Sequence, residues 1–596
     1  MTALYTPWGE QLDRTCPLPE YPRPQLRRDS YLCLNGLWDY TVEDGDEYSR
    51  RRSGKVLVPF SPESLLSGCD FRLQSGETLW YERTFTLPEG FRRDRVLLHF
   101  GAVDQCCRVL VNDRPVGGHE GGYLPFTLDI TGALVPGENR LTVAVTDDPE
   151  GGVHAFGKQR TDRGGIWYTP QSGIWQTVWM EIVPVNYIEQ IFYHTDYDQG
   201  LVHLKVLTQH SAPVECVISG KDMEPVCING MTNSELIVSL PDFHPWSPED
   251  PFLYLVSLKS GVDRVSSYFA MRKCDIQTAP DGTQRFFLNN KPYFQAGVLD
   301  QGYWPESLYT APTDEALTAD ISRMKKLGFN MLRKHAKIEP ERFYYHCDQL
   351  GMLVWQDMVN GGSAYKHWFV TYLATLMNWN HISFSDDEKH AGLLSRLNPE
   401  GKDEFRREIT ETIAFLYNHP SIVVWVPFNE GWGQFDALAA CEQIRTLDSS
   451  RLVDHASGLF DQKGGDILSL HYYFLKLKFK PESKRAAALT EFGGYSLSIP
   501  GHSCCKKVYG YKKFNSTGTL TYGYIDLIRQ TILPAVKKGI GATVYTQLSD
   551  IEEETNGIYT YDREICKIDP DTLRKWNRAL KEAGECKTYA DHTTDH

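Results

Sequence analysis

No apolar run in this chain of 596 residues is long enough to cross a bilayer; one of the longest, Ile422 to Phe428, is far too short. The opening Met1-Thr-Ala-Leu-Tyr-Thr-Pro-Trp8 has neither the basic start nor the apolar core of a secretory signal. Cysteine is scarce for the length, at 14 residues, and Cys106-Cys107 and Cys504-Cys505 are adjacent pairs, so a disulfide scaffold is excluded. These traits together lead us to expect reduced thiols and a cytoplasmic protein. Positive charge is in deficit: 62 Lys and Arg face 77 Asp and Glu, a formal net charge of −15. That balance argues against nucleic acid or an acidic membrane as a partner. No P-loop, His-Glu-x-x-His or Gly-x-Ser-x-Gly is found, and no tandem repeat. What is present is ordinary globular composition, 41% hydrophobic and 12% aromatic. At roughly 150 residues per domain, it suffices for about three or four domains.

The first third reads as strands, with short β-branched runs such as Arg95–Phe100, Arg108–Asn112 and Arg140–Val145 bounded by Gly, Pro, Asn and Asp. Helical periodicity is nearly absent before residue 310. Residues from about 186 to 273 read as roughly seven further short strands, a sandwich of immunoglobulin type. After residue 310 strands and helices alternate. Leu317, Ile321 and Met324 line one face of a helix over 313–327, with Thr313 as N-cap and Gly328 beyond its end. A second helix is expected over 403–419, with Phe405, Ile409, Ile413 and Leu416 on one face. Eight apolar strand candidates follow from this alternation: 293–298, 329–333, 352–357, 422–430, 452–457, 467–473, 486–491 and 542–547. Eight strands over roughly 320 residues fit a (β/α)8 TIM barrel.

Most of these strands end in polar residues. The ends read Arg333-Lys334-His335, Gln356-Asp357, Asn429-Glu430, Asp454-His455, His471-Tyr472-Tyr473, Glu491 and Thr546-Gln547. In a barrel such ends converge on one mouth, where chemistry is found. Glu430 and Glu491 would then face each other, and two facing carboxylates are what cleavage of a glycosidic bond requires. One must be held protonated to donate to the leaving oxygen, the other ionised to attack or to direct water. Asn429 is placed to bond a sugar hydroxyl, and Tyr472 or Tyr473 to donate to Glu491. Trp432 is the preferred aromatic platform, over Trp304, Trp355, Trp368 and Tyr495. The spaced glycines of Gly117–Gly122 read as a turn, since no βαβ unit surrounds them. His335, His346, His455 and His471 are conceivable metal ligands, but sugar chemistry of this kind needs neither metal nor cofactor, and none is expected.

At these residues the sequence resembles glycoside hydrolase family 2, which includes β-galactosidases, β-glucuronidases and β-mannosidases. Asn418 through Asn429-Glu430 is similar to the family's acid/base signature, and Asp348-Gln-Leu-Gly351-Met-Leu-Val-Trp355 to half of its other signature. Gly164-Gly-Ile-Trp167 through Trp179 resembles the end of the sugar-binding domain, and Gln547-Leu-Ser-Asp550 through Asn556-Gly-Ile and Tyr561-Asp-Arg also resembles the family. The resemblance implies a multidomain chain: an N-terminal all-β jelly-roll over 1–185, an immunoglobulin-like β-sandwich over 186–273, and a catalytic (β/α)8 barrel over 274–596. It further implies Glu430 as acid/base, Glu491 as nucleophile and net retention. Arg333, Lys334, His335, Asp357, Asn429, Trp432, His471, Tyr472, Tyr473 and Gln547 are expected to contact substrate.

The sequence departs from the family pattern at Val426, at Arg333-Lys-His-Ala-Lys-Ile338, and where β-glucuronidases carry Asn-x-Lys to hold a sugar carboxylate. Glu554-Thr-Asn556-Gly stands there instead. Lys334 and Lys337 are thereby placed near the mouth. Nine basic residues flank Glu491 between Lys476 and Lys513, a local excess that suits an anionic sugar if it faces the mouth and nothing if it faces solvent. A retaining exo-β-glycosidase for a neutral galactoside is the first expectation. A β-uronidase with a non-standard basic site and a non-catalytic carbohydrate-binding protein are the alternatives. A carbohydrate is the expected partner, and self-association is possible at this size.

Overall fold

The computed structural model of the chain describes residues 2–44, 50–69, 71–91, 94–366, 368–373, 384–473 and 477–585. Near the N-terminus two antiparallel sheets face each other. One runs in the order Arg50–Val58, Gly36–Asp44, Glu77–Thr86, Glu138–Thr146, Cys106–Val111, Arg114–Glu120; the other is Leu32–Cys33, Val178–Val183, Arg95–Phe100, Phe126–Asp129. Alternation decides which face is buried: Leu141, Val143 and Val145 point inward and meet Leu98 and Phe100 of the opposite sheet. The Gly117–Gly122 segment, expected as a turn, runs largely within the edge strand Arg114–Glu120. A second sandwich follows, with three strands (Gln190–Asp196, Leu201–Leu207, Glu235–Ser239) packed on four (Val226–Met231, Pro213–Ser219, Tyr254–Ser260, Asp263–Phe269).

The remainder is a parallel eight-stranded barrel. We number its strands β1 (Gln295–Asp300), β2 (Met331–Lys334), β3 (Leu353–Asp357), β4 (Ile422–Val426), β5 (Leu452–Val453), β6 (Ile467–Tyr472), β7 (Ala486–Gly493) and β8 (Ile540–Thr546). They pair in the order β5-β4-β3-β2-β1-β8-β7-β6. Between β5 and β6 no ladder forms; there Ser469 Oγ donates to Asp454 Oδ2 at 3.0 Å and Asp466 N to Val453 O at 2.8 Å. Met331, Trp355, Val424, Ala488 and Val544 fill the interior, while Leu332, Val354, Trp425 and Leu489 pack outward against the helices. Helix Asp314–Lys326 is capped by Thr313, whose side chain accepts from Ala316 N. Helix Pro399–Leu416 starts earlier than the expected 403, because Asn398 supplies the cap and Pro399 the first residue. Among the described residues no helix is long and apolar enough to cross a membrane.

One buried ion network joins the N-terminal segment to both sandwiches. Glu181, with no exposed side-chain surface, takes Arg23 at 2.7 Å and Arg28 at 3.2 Å, and Arg28 also binds Asp263 of the second sandwich at 2.9 Å. Burial by itself would push the Glu181 carboxyl up, but Arg23, His99 and Arg28 hold it well below the usual carboxylate range. A depressed folded value means stabilisation that is present above that range and lost as pH falls through the folded value. Glu181→Gln should therefore cost about 3 kcal/mol at neutral pH, since it removes the buried carboxylate that pairs with buried Arg28 and half-buried Arg23. Thermal unfolding should show a lowered Tm at pH 7 and a smaller gap from wild type in strong acid. An equal gap at both would contradict this role.

Candidate active site

Strand alternation places Arg333 inside the barrel and Lys334 outside. Arg333, fully buried, donates to both Asp357 oxygens (Nε to Oδ1 at 3.1 Å, Nη2 to Oδ2 at 2.9 Å), to Asn429 Oδ1 at 2.9 Å and to Glu491 Oε1 at 3.2 Å. It thus joins residues at the ends of β3 and β7 to the turn after β4. His335 adds a contact from Nδ1 to Asp357 Oδ2 at 2.6 Å. Burial pushes the His335 imidazole down, against the pull of Asp357.

Simple alternation along β7 would turn Glu491 outward beside Leu489. The ladder to β6 shifts instead: Leu470 faces Leu489, but His471 faces Glu491. Thr490 is the extra residue of this bulge, and it re-aims Glu491 into the mouth. There Glu491 receives Tyr473 OH at 2.5 Å and stands 3.7 Å from His471 Nε2. Burial alone would raise its carboxyl, yet His471, Arg333, His335 and the Tyr473 hydrogen bond bring it down to about 2.

Glu430 lies in the turn beyond β4, not in the strand as expected, because β4 ends at Val426. Its backbone is left-handed, with φ of 50°, and its N–H donates to Ser457 O at 3.0 Å. This constrained turn points the carboxylate at His471, whose Nδ1 is 2.8 Å from Glu430 Oε1. Burial would lower the His471 imidazole, but Glu491 and Glu430 outweigh it and raise it above the ordinary value. The His471 ring thus stands between two carboxylates, and an oxygen of Glu430 comes within 4.8 Å of one of Glu491. These three residues are also one of two described groups close enough to share a cation; the other is His502, Asp562 and Glu564. The four histidines conceivable as a ligand set have other partners in part: His346 pairs with Asp314 and His455 with Asp461.

The mouth has a roof that the sequence reading missed. The segment between strands Glu138–Thr146 and Gly173–Ile174 of the first sandwich reaches across to the barrel. Phe156 and Gly157 donate backbone hydrogen bonds to Asn360 O, and Thr169 N donates to Glu552 Oε1 at 3.1 Å. This segment delivers Lys158, 5% exposed, whose Nζ lies 4.5 Å from the Trp432 ring centroid, 5.5 Å from Trp167 and 5.8 Å from Tyr168. Its ammonium makes no hydrogen bond or ion pair with any described residue. Burial lowers it, while Glu554, Glu491 and Glu430 oppose that shift. Glu554 is itself buried and bonded by Tyr168 OH and, at 2.9 Å, by Asn556 Nδ2. Stacking on aromatic rings offsets up to about 2 kcal/mol of the cost of burying a cation, which amounts to several kcal/mol. The available signal was the length of the loop, since long connections in compact domains tend to carry function.

Several expected contacts are corrected. Lys334 does not face the mouth: it binds Asp300 at 2.7 Å and Glu339 at 2.8 Å, and Lys337 also binds Glu339. Tyr472 points outward into the helix layer, so only Tyr473 reaches Glu491. Trp432 is buried beneath Lys158 and is no open platform. Gln547 engages its amide with Gln301 and Asn556. Of the basic cluster, Lys478, Lys480, Lys484, Lys506, Lys507, Lys512 and Lys513 are exposed, Arg485 is paired with Asp461 and Glu482, and Lys476 lies outside the described residues.

Residues 68–180 match the description "Glycosyl hydrolases family 2, sugar binding domain" and residues 282–531 match the family's TIM barrel domain. The chain belongs to glycoside hydrolase family 2. This family 2 chain is 26% identical to a β-galactosidase of Thermoanaerobacter pseudethanolicus over 78% of its own length and 61% of that protein's, so it spans under two thirds of that relative. It is 24% identical to the β-glucuronidase of Homo sapiens over 76% of its own length and 73% of that enzyme's. In fold it is similar to the β-D-glucuronidase of Dictyoglomus thermophilum (TM-score 0.71, 17% identity, 94% and 98% of the two chains). It is also similar to the β-galacturonidase of Eisenbergiella tayi bound to galacturonate (TM-score 0.67, 17% identity, 94% and 99%).

The Tyr473 contact is testable without disturbing the core. Tyr473→Phe removes a hydrogen bond to a charged acceptor, and kcat/KM should fall about 10- to 100-fold. The acid limb of the kcat/KM profile should move to higher pH, because one of the groups holding Glu491 ionised is gone. An unmoved acid limb would refute this account of Tyr473.

Proposed function

We propose that this chain is a retaining exo-β-glycosidase working by double displacement, with Glu491 as nucleophile and Glu430 as acid/base. The observation that carries this reading is the approach of the two carboxylates to within 4.8 Å. Retention uses carboxyl groups about 5 Å apart, whereas inversion needs roughly 6.5–9.5 Å to admit a water. Glu491 attacks the anomeric carbon while the glycosidic C–O bond breaks and the departing oxygen takes the proton of Glu430. Water then gives a proton to Glu430 and attacks the same carbon, which frees Glu491 and releases the sugar with net retention. Asn429 Nδ2, buried and without a hydrogen-bond partner among the described residues, supplies a donor for a sugar hydroxyl. The roof from the first sandwich supports attack on a terminal sugar.

For the sugar itself, a β-uronide is the better supported reading. Several similar proteins are named β-glucuronidases or β-galacturonidases, and a buried ammonium without an ion-pair partner among the described residues stands in the mouth. A neutral galactoside, the first expectation from sequence, keeps the support of the Thermoanaerobacter relative and of Glu554 in place of Asn. A purely binding role would gain nothing from two carboxylates held this close.

On aryl β-glycosides, Glu491→Gln should lower kcat on the order of 10⁴-fold or more with folding intact. Glu430→Ala should still release a good leaving group in a first burst and then stall. Added azide, which needs no general base, should restore turnover and give the β-glycosyl azide. Wild-type rates in the first variant, or an α-configured azide from the second, would overturn the assignment.

A further inference from the structure

The chain lacks the lysine of the Asn-x-Lys element, the lysine cluster around Glu491 is solvated, and Lys334 and Lys337 are neutralised by Asp300 and Glu339. Arg333 has its donors taken by Asp357, Asn429, Glu491 and the Thr490 carbonyl. Of the cations considered for the mouth, Lys158 is the one left with its three N–H donors unspent. We propose that Lys158, carried in from the N-terminal sandwich, binds the carboxylate of a terminal uronic acid and sets the preference for uronides over neutral sugars. The inference rests on the reading of the site as that of a glycosidase acting on uronides.

Three observations support it. Lys158 is enclosed, so an anion delivered there is shielded from salt and water. Glu554, the acidic group that acts on it most strongly, has both oxygens engaged by Tyr168 and Asn556 and forms no ion pair with Lys158. Lys158 also lies on Trp432, two residues past Glu430 in the chain, close enough for its charge to act on Glu430, Glu491 and His335. The proposal seats the sugar over Glu491 with its acidic substituent turned toward Lys158 on Trp432. The position differs from that of the Asn-x-Lys lysine in the chain: it comes from another domain, while Asn556 stands at the place of that lysine and Glu554 at the place of the Asn.

The test compares wild type, Lys158→Met and Lys158→Arg on aryl β-glucuronide and β-galacturonide against the matching glucoside and galactoside. Lys158→Met should lose about 100-fold in kcat/KM on the uronides, mainly through KM, as expected for truncating one member of a buried charge pair. The loss on neutral glycosides, which feel only the changed charge beside Glu430 and Glu491, should be at least about tenfold smaller than on uronides, and Lys158→Arg should recover part of the uronide loss. An equal loss on charged and neutral substrates would mean that Lys158 only braces the roof, and would overturn the proposal. Calorimetry with free D-glucuronate and D-galacturonate against D-glucose and D-galactose separates this from the catalytic reading. Tighter binding of the acids by wild type, abolished in Lys158→Met, upholds the proposal even if no glycoside is hydrolysed. Equal binding of acid and neutral sugar overturns it even if hydrolysis is found.

Discussion

A guanidinium group with no access to water must find acceptors for its donors, and this requirement organises the barrel mouth. Arg333 finds them at the end of β3, in the turn after β4 and in the bulge of β7. Each acceptor comes from a different strand connection, so satisfying one cation fixes the relative placement of three. Lysine cannot substitute in this role. Its ammonium is a point donor, whereas Asp357 is gripped by two parallel N–H groups in one plane.

From that anchor the contacts run outward from Arg333 to Glu491, then His471, then Glu430. Two carboxylates this close would repel each other, and one would take up a proton, unless cations flanked them. The arrangement is not symmetric. Glu491 is served by Arg333, Tyr473 and His471, while Glu430 has His471 alone and a half-buried side chain. One carboxylate is therefore held in place by three partners and the other by one, and double displacement asks different things of its two acids.

Much of this was legible in the sequence, and what was not has identifiable causes. Apolar runs ending in polar residues announced the barrel and its mouth, because buried parallel strands leave polar side chains only at their ends. Strict alternation also suffices to send Arg333 inward and Lys334 outward, and Tyr473 inward with Tyr472 outward. The bulge at Thr490 breaks that rule, and no local composition marks it. Glu491 was placed by its position at a strand end and by family resemblance, not by periodicity. The lysines between 476 and 513 show the opposite problem, since a charge run reports no direction and the described ones face water. Lys158 went unnoticed because its neighbours Trp167, Tyr168 and Trp432 are assembled from two domains, a contact that no single stretch of sequence displays.

That assembly separates two tasks. The carboxylates and their cations sit on rigid strand ends, where a bulge and a constrained turn fix their directions. The groups that meet the outer substituents of the sugar come from a long loop of a different domain, held to the barrel by backbone bonds at Asn360 and by Glu552 and Glu554. Changes in such a loop can alter which sugar is accepted without moving the reacting oxygens. A cation carried by the roof, with an amide at Asn556 where the barrel would otherwise supply a lysine, is what this separation permits. The chemistry constrains only the pair of glutamates and what holds them together.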